Sequence, residues 1–358
     1  MKILFISRAY PPIIGGMENQ NYELVRHLSE IADMKIIANR RGKKFLPIFL
    51  PYVSIRSLFL IRKFDILLLG DGVLGIVGFL VKLFYGSRKK VVCVCHGLDL
   101  TYPFWLYRRL WMEKFIPALD KLIAVGNETI RQGVKRGIPE EKFVFIPNGI
   151  SPNQHIGNYS RSDLEQIIGE KLEGKKIILT SGRLAKRKGV AWFVRNVIPR
   201  LAENIVYVVL GSGPDKNNIT SAVQEKKLYD RVKILGYRPD EVRDICFNTA
   251  DVFVQPNIKI PGDMEGFGIS VIEATTCKLP VIVSDLEGLK DAIKDRENGF
   301  LVESGNAEAW AKKINELLAD DDFQHRFGEK ARRYAIENYS WERIAKRYLE
   351  EIQKVVEK

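Results

Sequence analysis

Short runs of Ile, Val and Leu recur along the chain, separated by segments long enough to be helices. In the first part the runs are Ile3–Ser7, Lys35–Ala38, Asp65–Leu69, Val91–Cys95, Leu122–Val125 and Phe143–Pro147. Runs of this kind are expected of strands buried on both faces. Segments such as Met17–Ile31 and Thr129–Arg136 supply helices between them, and the βαβ alternation predicts a parallel sheet.

After Asn148-Gly149 the pattern gives way to a polar stretch, Ser151 to Ser160, containing Pro152, Asn153, Gly157 and Asn158, which marks a domain boundary. The alternation then restarts with Lys176–Ser181, Ile205–Leu210, Val232–Leu235, Asp251–Gln255, Val281–Ser284 and Gly299–Val302. Beyond Asn306 three helices are expected, over 306–319, 321–337 and 340–357, the last with Ser340 as its N-cap. The expected class is α/β, with two Rossmann-like domains over 1–155 and 156–339. Two such sheets joined by a short linker predict a cleft between their carboxyl ends, where ligands of open α/β sheets bind.

The length of 358 residues fits two domains, and the 46% apolar and 28% charged residues are ordinary for a globular chain. Cys93, Cys95, Cys246 and Cys277 form no C-x-x-C pair and lack histidines at metal spacing, so they read as core residues of a reducing, cytoplasmic protein. The first residues read as a buried strand and not as a signal peptide. The longest apolar stretch, Val73 to Phe84, is interrupted by Gly75, Gly78 and Lys82 and is too short to span a bilayer. Charge is unevenly shared. Residues 1–150 hold 23 Lys and Arg against 12 Asp and Glu, and the remainder 33 against 32. A one-sided basic excess points to an anionic partner.

Glu265 and Glu273, separated by seven residues, bracket a Gly266-Phe267-Gly268-Ile269 loop that reads as a helix start. Carboxylates there can accept from sugar and ribose hydroxyls, while free helix-start amides attract anions. Other strand ends carry suitable groups. Gly15-Gly16 precedes a helix, and His96 follows the fourth strand, where it could hydrogen-bond a sugar hydroxyl. Arg183-Leu184-Ala185-Lys186-Arg187-Lys188 places four cations between a strand and a helix, where a departing diphosphate would need compensation. Arg183 and Lys188 are expected to face inward, with Lys186 and Arg187 in solvent. Gly211-Ser212-Gly213 could pack closely over a phosphate, and Gly236-Tyr237-Arg238 could edge a nucleobase.

The series Gly15-Gly16, His96-Gly97, Ile146-Pro147-Asn148-Gly149, Gly182-Arg183-Leu184 to Lys188-Gly189, Gly211-Ser212-Gly213 and Glu265-Gly266-Phe267-Gly268 to Glu273-Ala274 resembles the retaining glycosyltransferases of family 4, which have the GT-B fold. The resemblance runs from Met1 to Ser340-Trp341-Glu342. It implies that a closing helix, 340–358, returns to the N-terminal, acceptor-binding domain, and that the C-terminal domain binds a nucleotide-diphosphate sugar. Glu273 would then hold the ribose hydroxyls. Glu265, with the amides of Phe267, Gly268 and Ile269, would hold the sugar. Arg183 and Lys188 would neutralise the diphosphate with help from the Gly16 backbone, and His96 would lie beside the anomeric carbon. Such enzymes react on one face of the sugar, the leaving phosphate taking the acceptor proton, so that neither a dedicated base, a cofactor nor a metal is needed. Asp320-Asp321-Asp322, the only D-x-D, is expected to be solvated. Two departures from the family pattern stand out, Glu287-Gly288-Leu289-Lys290-Asp291 and Asn148-Gly149-Ile150-Ser151, and neither is expected to touch the glutamate pair.

The acceptor is expected to be a hydroxyl compound, such as a lipid-linked or polysaccharide intermediate. Arg40-Arg41-Gly42-Lys43-Lys44, Phe49-Leu50-Pro51-Tyr52, Leu58 to Lys63 and Tyr102 to Trp111 mix cations with aromatic and aliphatic residues. That composition predicts peripheral association with an anionic membrane face. A sugar-nucleotide epimerase of the same architecture would need further acid and base residues that are not found. A non-catalytic basic lipid- or nucleic-acid-binding protein would not need Glu265, Glu273, Arg183 and Lys188. No nucleic-acid partner is expected.

Overall fold

A computed structural model describes residues 1–13 and 15–358. The chain forms two compact units, Met1–Gly149 with Tyr339–Lys358, and Ile150–Asn338. The first is built on β1 (Lys2–Ser7), β2 (Asp33–Ala38), β3 (Ile66–Leu69), β4 (Lys90–Cys95), β5 (Lys121–Ala124) and β6 (Phe143–Phe145). These pair in parallel in the order β2-β1-β3-β4-β5-β6. The second is built on β7 (Lys176–Ser181), β8 (Ile205–Leu210), β9 (Val232–Gly236), β10 (Val252–Gln255), β11 (Val281–Ser284) and β12 (Phe300–Val302). Its order is β12-β11-β10-β7-β8-β9, again all parallel.

The apolar runs form central strands because a parallel sheet is covered on both faces. In the first unit, Leu4, Ile6, Leu67, Leu69, Val91 and Cys93 turn to one face. There they meet Phe49, Val53 and Ile61 of the segment containing α2 (Leu46–Leu60), and Val77 and Val81 of α3 (Gly75–Tyr85). Their neighbours Ile3, Phe5, Ile66, Leu68, Val92 and Val94 turn to the other, against Leu24, Val25 and Leu28 of α1 (Gly16–Leu28). The Val73 to Phe84 stretch thus folds as a core helix with its approach. The longer apolar helical segment is Lys43–Lys63, which contains the Phe49 to Tyr52 and Leu58 to Lys63 runs.

The second face is completed by the closing helix, Trp341–Glu357, whose Trp341, Ile344, Ala345, Tyr348, Ile352 and Val355 are buried. That spacing puts all six on one stripe. The Trp341 ring stacks on His27 with centroids 6.1 Å apart, and Arg347 donates to the Phe145 carbonyl at 3.0 Å. Ser340 precedes this helix, but its side chain makes no capping hydrogen bond there. At the preceding helices Asn306 and Asp320 do cap, accepting from the Ala309 and Phe323 amides at 3.0 and 2.8 Å. Asp321 pairs with Lys176, so the Asp320-Asp321-Asp322 run serves a helix start and a surface ion pair.

Replacing Trp341 by Ala removes the aromatic anchor of the closing helix. The expected loss is about 3–5 kcal/mol of stability, read as an earlier chemical-denaturation transition of the first unit, with that of the second unit unmoved.

Candidate functional site

In the second sheet the chain winds one way from β7 to β9, then returns to the other side of β7 for β10 to β12. Loops leaving the carboxyl ends of β7 and β10 therefore diverge and open a crevice at the point of reversal, the usual ligand position in such sheets. The loop after β7 carries Arg183 and Lys188, and the segment after β10 carries Glu265. Lys188 Nζ lies 2.7 Å from Glu265 Oε2, and both side chains are nearly buried. Asn257 Nδ2 and Gln255 Nε2 donate to the same oxygen at 3.3 and 3.5 Å, and the Gln255 amide oxygen accepts from Ser270 Oγ at 3.1 Å. Every polar contact converges on Oε2. No protein partner of Oε1 is seen among the described residues.

Burial alone would push the Glu265 carboxyl up. The charges of Lys188 and Arg187 and the hydrogen bonds from Lys188 and Asn257 overcome it, holding the group below the ordinary carboxylate value. Arg187, expected in solvent, is a correction. It is half-buried, with Nε 3.6 Å from Glu265 Oε2 and Nη1 3.4 Å from Asp263 Oδ1. Lys186 to Lys188 form a single tight turn, so the three side chains point in three directions and only Lys186 is left exposed. Arg183, expected to face inward, is exposed and makes no ion pair among the described residues.

Glu273 lies on the helix Ile269–Thr276 and meets a different partner. Its Oε1 is 3.6 Å from His155 Nε2, while His155 Nδ1 donates to Asp244 Oδ1 at 2.7 Å. The His155 ring is fully buried, edge-on to Phe247, and its carbonyl accepts from Asn248 Nδ2 at 2.6 Å. Burial disfavours the imidazolium, but the Glu273 carboxylate outweighs it and raises the His155 pKa. In return, burial would raise Glu273, and His155 brings it below the ordinary value. Sequence reading passed over His155 because it stands in the patternless polar stretch after Asn148, far along the chain from Asp244 and Glu273.

The Glu287-Gly288 departure does reach the glutamate pair. The Glu287 carboxylate accepts the Glu265 backbone N–H at 2.8 Å, and the Gly288 N–H donates to the Glu265 carbonyl at 3.2 Å. A Cβ at Gly288 would stand 2.2 Å from the Gly266 carbonyl oxygen, so only glycine permits this approach. At Gly211 the close approach is by backbone. A Cβ there would stand 1.9 Å from the Gly182 carbonyl, and the Leu184 N–H donates to the Ser212 carbonyl at 3.0 Å. The small residues of 211–213 thus clamp the Arg183 loop by its backbone. Gly236 ends β9, and its carbonyl accepts the Gly211 N–H at 2.8 Å; Tyr237 and Arg238 are exposed beyond it. Gly268 stands at φ 91° before the helix, which begins at Ile269, and Phe267 is buried.

In the first unit, Gly15 and Gly16 open α1. His96 follows β4, and its Nε2 hydrogen-bonds the Gly70 carbonyl at 3.0 Å, which fixes that nitrogen as the donor. Nδ1 has no protein partner among the described residues. The loop is held by Asp99, whose carboxylate accepts the N–H groups of His96, Gly97 and Gly72 at 2.8–3.1 Å. Arg8, after β1, pairs with the buried Asp71, after β3, at 2.7 Å, at this sheet's own winding reversal. The role of Asp71 was not legible in sequence, since its charged partner Arg8 follows another strand, and Asp99 joins its own loop to the Gly72 amide after β3. Among the described residues no group of three or more His, Cys, Asp or Glu side chains is placed to hold a metal.

Two units, each a six-stranded parallel sheet covered by helices, have the GT-B architecture. A profile of the glycosyl transferases group 1 matches residues 162–334, and one of glycosyltransferase family 4 matches residues 14–154. The chain belongs to the family 4 glycosyltransferases. It is 27% identical to an uncharacterized glycosyltransferase of Methanocaldococcus jannaschii over 97% of this chain and 96% of the relative. It is 26% identical to the alpha-maltose-1-phosphate synthase of Mycolicibacterium smegmatis, over 99% and 100%. The crystal structure of Anabaena HepE in complex with UDP-glucose superposes with a TM-score of 0.77 at 18% identity, covering 99% of this chain and 100% of that one.

Replacing Lys188 by Met strands the buried Glu265 carboxylate, with an expected cost of about 3–5 kcal/mol in the second unit. Adding Glu265→Gln to that variant should restore most of it in the same denaturation assay. The His155–Glu273 pair gives a pH signature. Its Glu273 part is lost as pH falls through the lowered Glu273 value. Its His155 part is complete below the ordinary imidazole value of 6.5 and lost as pH rises through the raised one. The stability difference between wild type and His155→Gln should therefore peak in mildly acidic to neutral solution and shrink on both sides.

Proposed function

We propose that the protein is a retaining glycosyltransferase that moves a sugar from a nucleotide diphosphate to a hydroxyl acceptor, of which a lipid-linked or polysaccharide intermediate is the favoured kind. The observation carrying this reading is the Lys188–Glu265 pair at the winding reversal of the second sheet. An ammonium has three donors, and one directed at Glu265 leaves others for phosphate oxygens. Glu265 Oε1 suits a sugar hydroxyl, the exposed Arg183 suits the diphosphate, and Glu273 suits the ribose hydroxyls with His155 holding its Oε1. The Gly266 to Ile269 backbone supplies helix-start amides beside them. The solved relative bound to UDP-glucose supports a nucleotide sugar as donor.

In the proposed reaction the bond from the anomeric carbon to the diphosphate breaks as the acceptor oxygen approaches on the same face. The departing phosphate oxygen takes the acceptor proton, and Arg183 and Lys188 stabilise the charge that develops. No metal or cofactor enters this scheme. His96 is assigned to the transfer step through its Nδ1, with Gly15 and Gly16 contributing backbone. The four free cysteines, two of them side by side on β4, suit a reducing cytoplasmic setting.

The test is a thermal-shift panel of UDP-, GDP- and ADP-sugars. A donor at a hundred times its Kd should stabilise the native protein by about 2.7 kcal/mol. One nucleotide class should do so, with the shift greatly reduced in Glu273→Ala and in Arg183→Ala. The stabilising donor should then yield, with EDTA present, a product of unchanged anomeric configuration by NMR. A flat response to every nucleotide removes the donor assignment.

A further inference from the structure

The segment Lys43–Lys63 is helical throughout, an 18-residue stretch within it has a mean hydropathy of 1.5, and it is long and apolar enough to cross a membrane by length and composition. It is nonetheless fixed along the first unit, because Phe49, Val53 and Ile61 are core residues packed on the sheet. The opposite face is apolar as well. Ile48, Tyr52, Ile55 and Phe59 are 63, 47, 61 and 66% exposed and follow the i, i+4, i+7, i+11 spacing of a single stripe. A helix with apolar residues on both its inner and outer faces has a reason to meet something besides water. At its carboxyl end, Tyr85 of α3 donates to the Leu58 carbonyl and accepts from Arg62 Nε. That contact brings Leu83 and Phe84, 65 and 67% exposed, to the same end of the helix pair.

The charge around the stripe names the partner. Between Arg40 and Lys63 there are seven cations, Arg40, Arg41, Lys43, Lys44, Arg56, Arg62 and Lys63, and no Asp or Glu. All seven are exposed, and none forms an ion pair with a carboxylate among the described residues. Six sit at the two ends of the stripe, and the seventh, Arg56, lies beside its middle, over the Tyr52 ring at 5.5 Å. A second copy of the chain would bring the same cations face to face, which disfavours a symmetric dimer through this surface. A bilayer interface with anionic headgroups satisfies both features: it takes the apolar side chains into the acyl boundary and meets the cations at the phosphates. The aromatic run Tyr102 to Trp111 fits this role less well. Tyr107 is buried and stacked on Trp111, whose indole N–H is used by the Val73 carbonyl, so the exposed residues Tyr102 to Leu106 and Arg108-Arg109 are split by a core anchor.

We infer that the outer face of Lys43–Lys63 is an in-plane docking surface for an anionic bilayer, with Ile48, Tyr52, Ile55 and Phe59 inserted and the flanking arginines and lysines on lipid phosphates. The inference does not rest on the transferase reading. The test is co-flotation of the full chain with vesicles of phosphatidylcholine alone and of phosphatidylcholine mixed with phosphatidylglycerol. Wild type should partition onto the mixed vesicles and be released as salt is raised. Ile55→Glu/Phe59→Glu should lose about tenfold or more of that partitioning. The substituted residues are exposed, so the melting temperature without vesicles and any nucleotide-sugar shift should match wild type. Equal partitioning onto both vesicle types, or unchanged partitioning of the double variant, overturns the inference. So does a concentration-dependent dimer in vesicle-free solution that the double variant abolishes, because the stripe then belongs to a second copy. The salt series on wild type keeps the question open to disproof even if the variant folds poorly.

Discussion

A parallel sheet that reverses its winding direction cannot close the space above its point of reversal, because the loops on either side lead away from one another. In the second unit that point lies between β7 and β10, and the chain fills it with charge instead of hydrocarbon. Lys188 from one loop and Glu265 from the other meet there at 2.7 Å, nearly out of water. The surrounding amides, Asn257 and Gln255, the clamped glycines after β8 and the Glu287 brace all serve to hold these two groups in register.

Such a pair is a poor way to stabilise a protein. Taking both charges out of water costs about as much as their attraction returns, and an apolar pair of similar size commonly does better. The arrangement makes sense where a charged, hydroxyl-rich ligand shares the ammonium protons and the second carboxylate oxygen. The carboxylates of the first unit give a useful contrast. Asp99 is wholly engaged by backbone N–H groups and Asp71 is paired with Arg8, so both shape the strand-end loops. The histidine on that scaffold, His96, presents an Nδ1 without a partner among the described residues, unlike the carboxylates that build the framework.

Much of this was legible in the chain itself. The runs from Ile3 to Gly299 fell on strands because β-branched and aliphatic residues in short uninterrupted stretches suit positions buried on both faces. The Arg183 to Lys188 and Glu265 to Glu273 segments stood out because charged residues at strand ends have no structural need to cluster. Other features were out of reach. Neither His155 nor Glu287 carries a local pattern, and each acquires its role from a partner far along the sequence. Similarly, the text of Lys186-Arg187-Lys188 does not say which cations turn inward; one tight turn and the position of Glu265 decide it.

The amphiphilic patterns along the chain determined that there would be two parallel α/β units and where their strand-end chemistry would lie, because apolar periodicity is a local property that burial reads directly. Tertiary structure alone decided which carboxylate meets which cation: Glu265 with Lys188 and Arg187, Glu273 with His155. It also decided that the outer stripe of the Lys43–Lys63 helix stays uncovered. Both outcomes depend on how strands far apart in sequence are ordered side by side, and long-range pairing leaves no periodic trace in the residues it brings together.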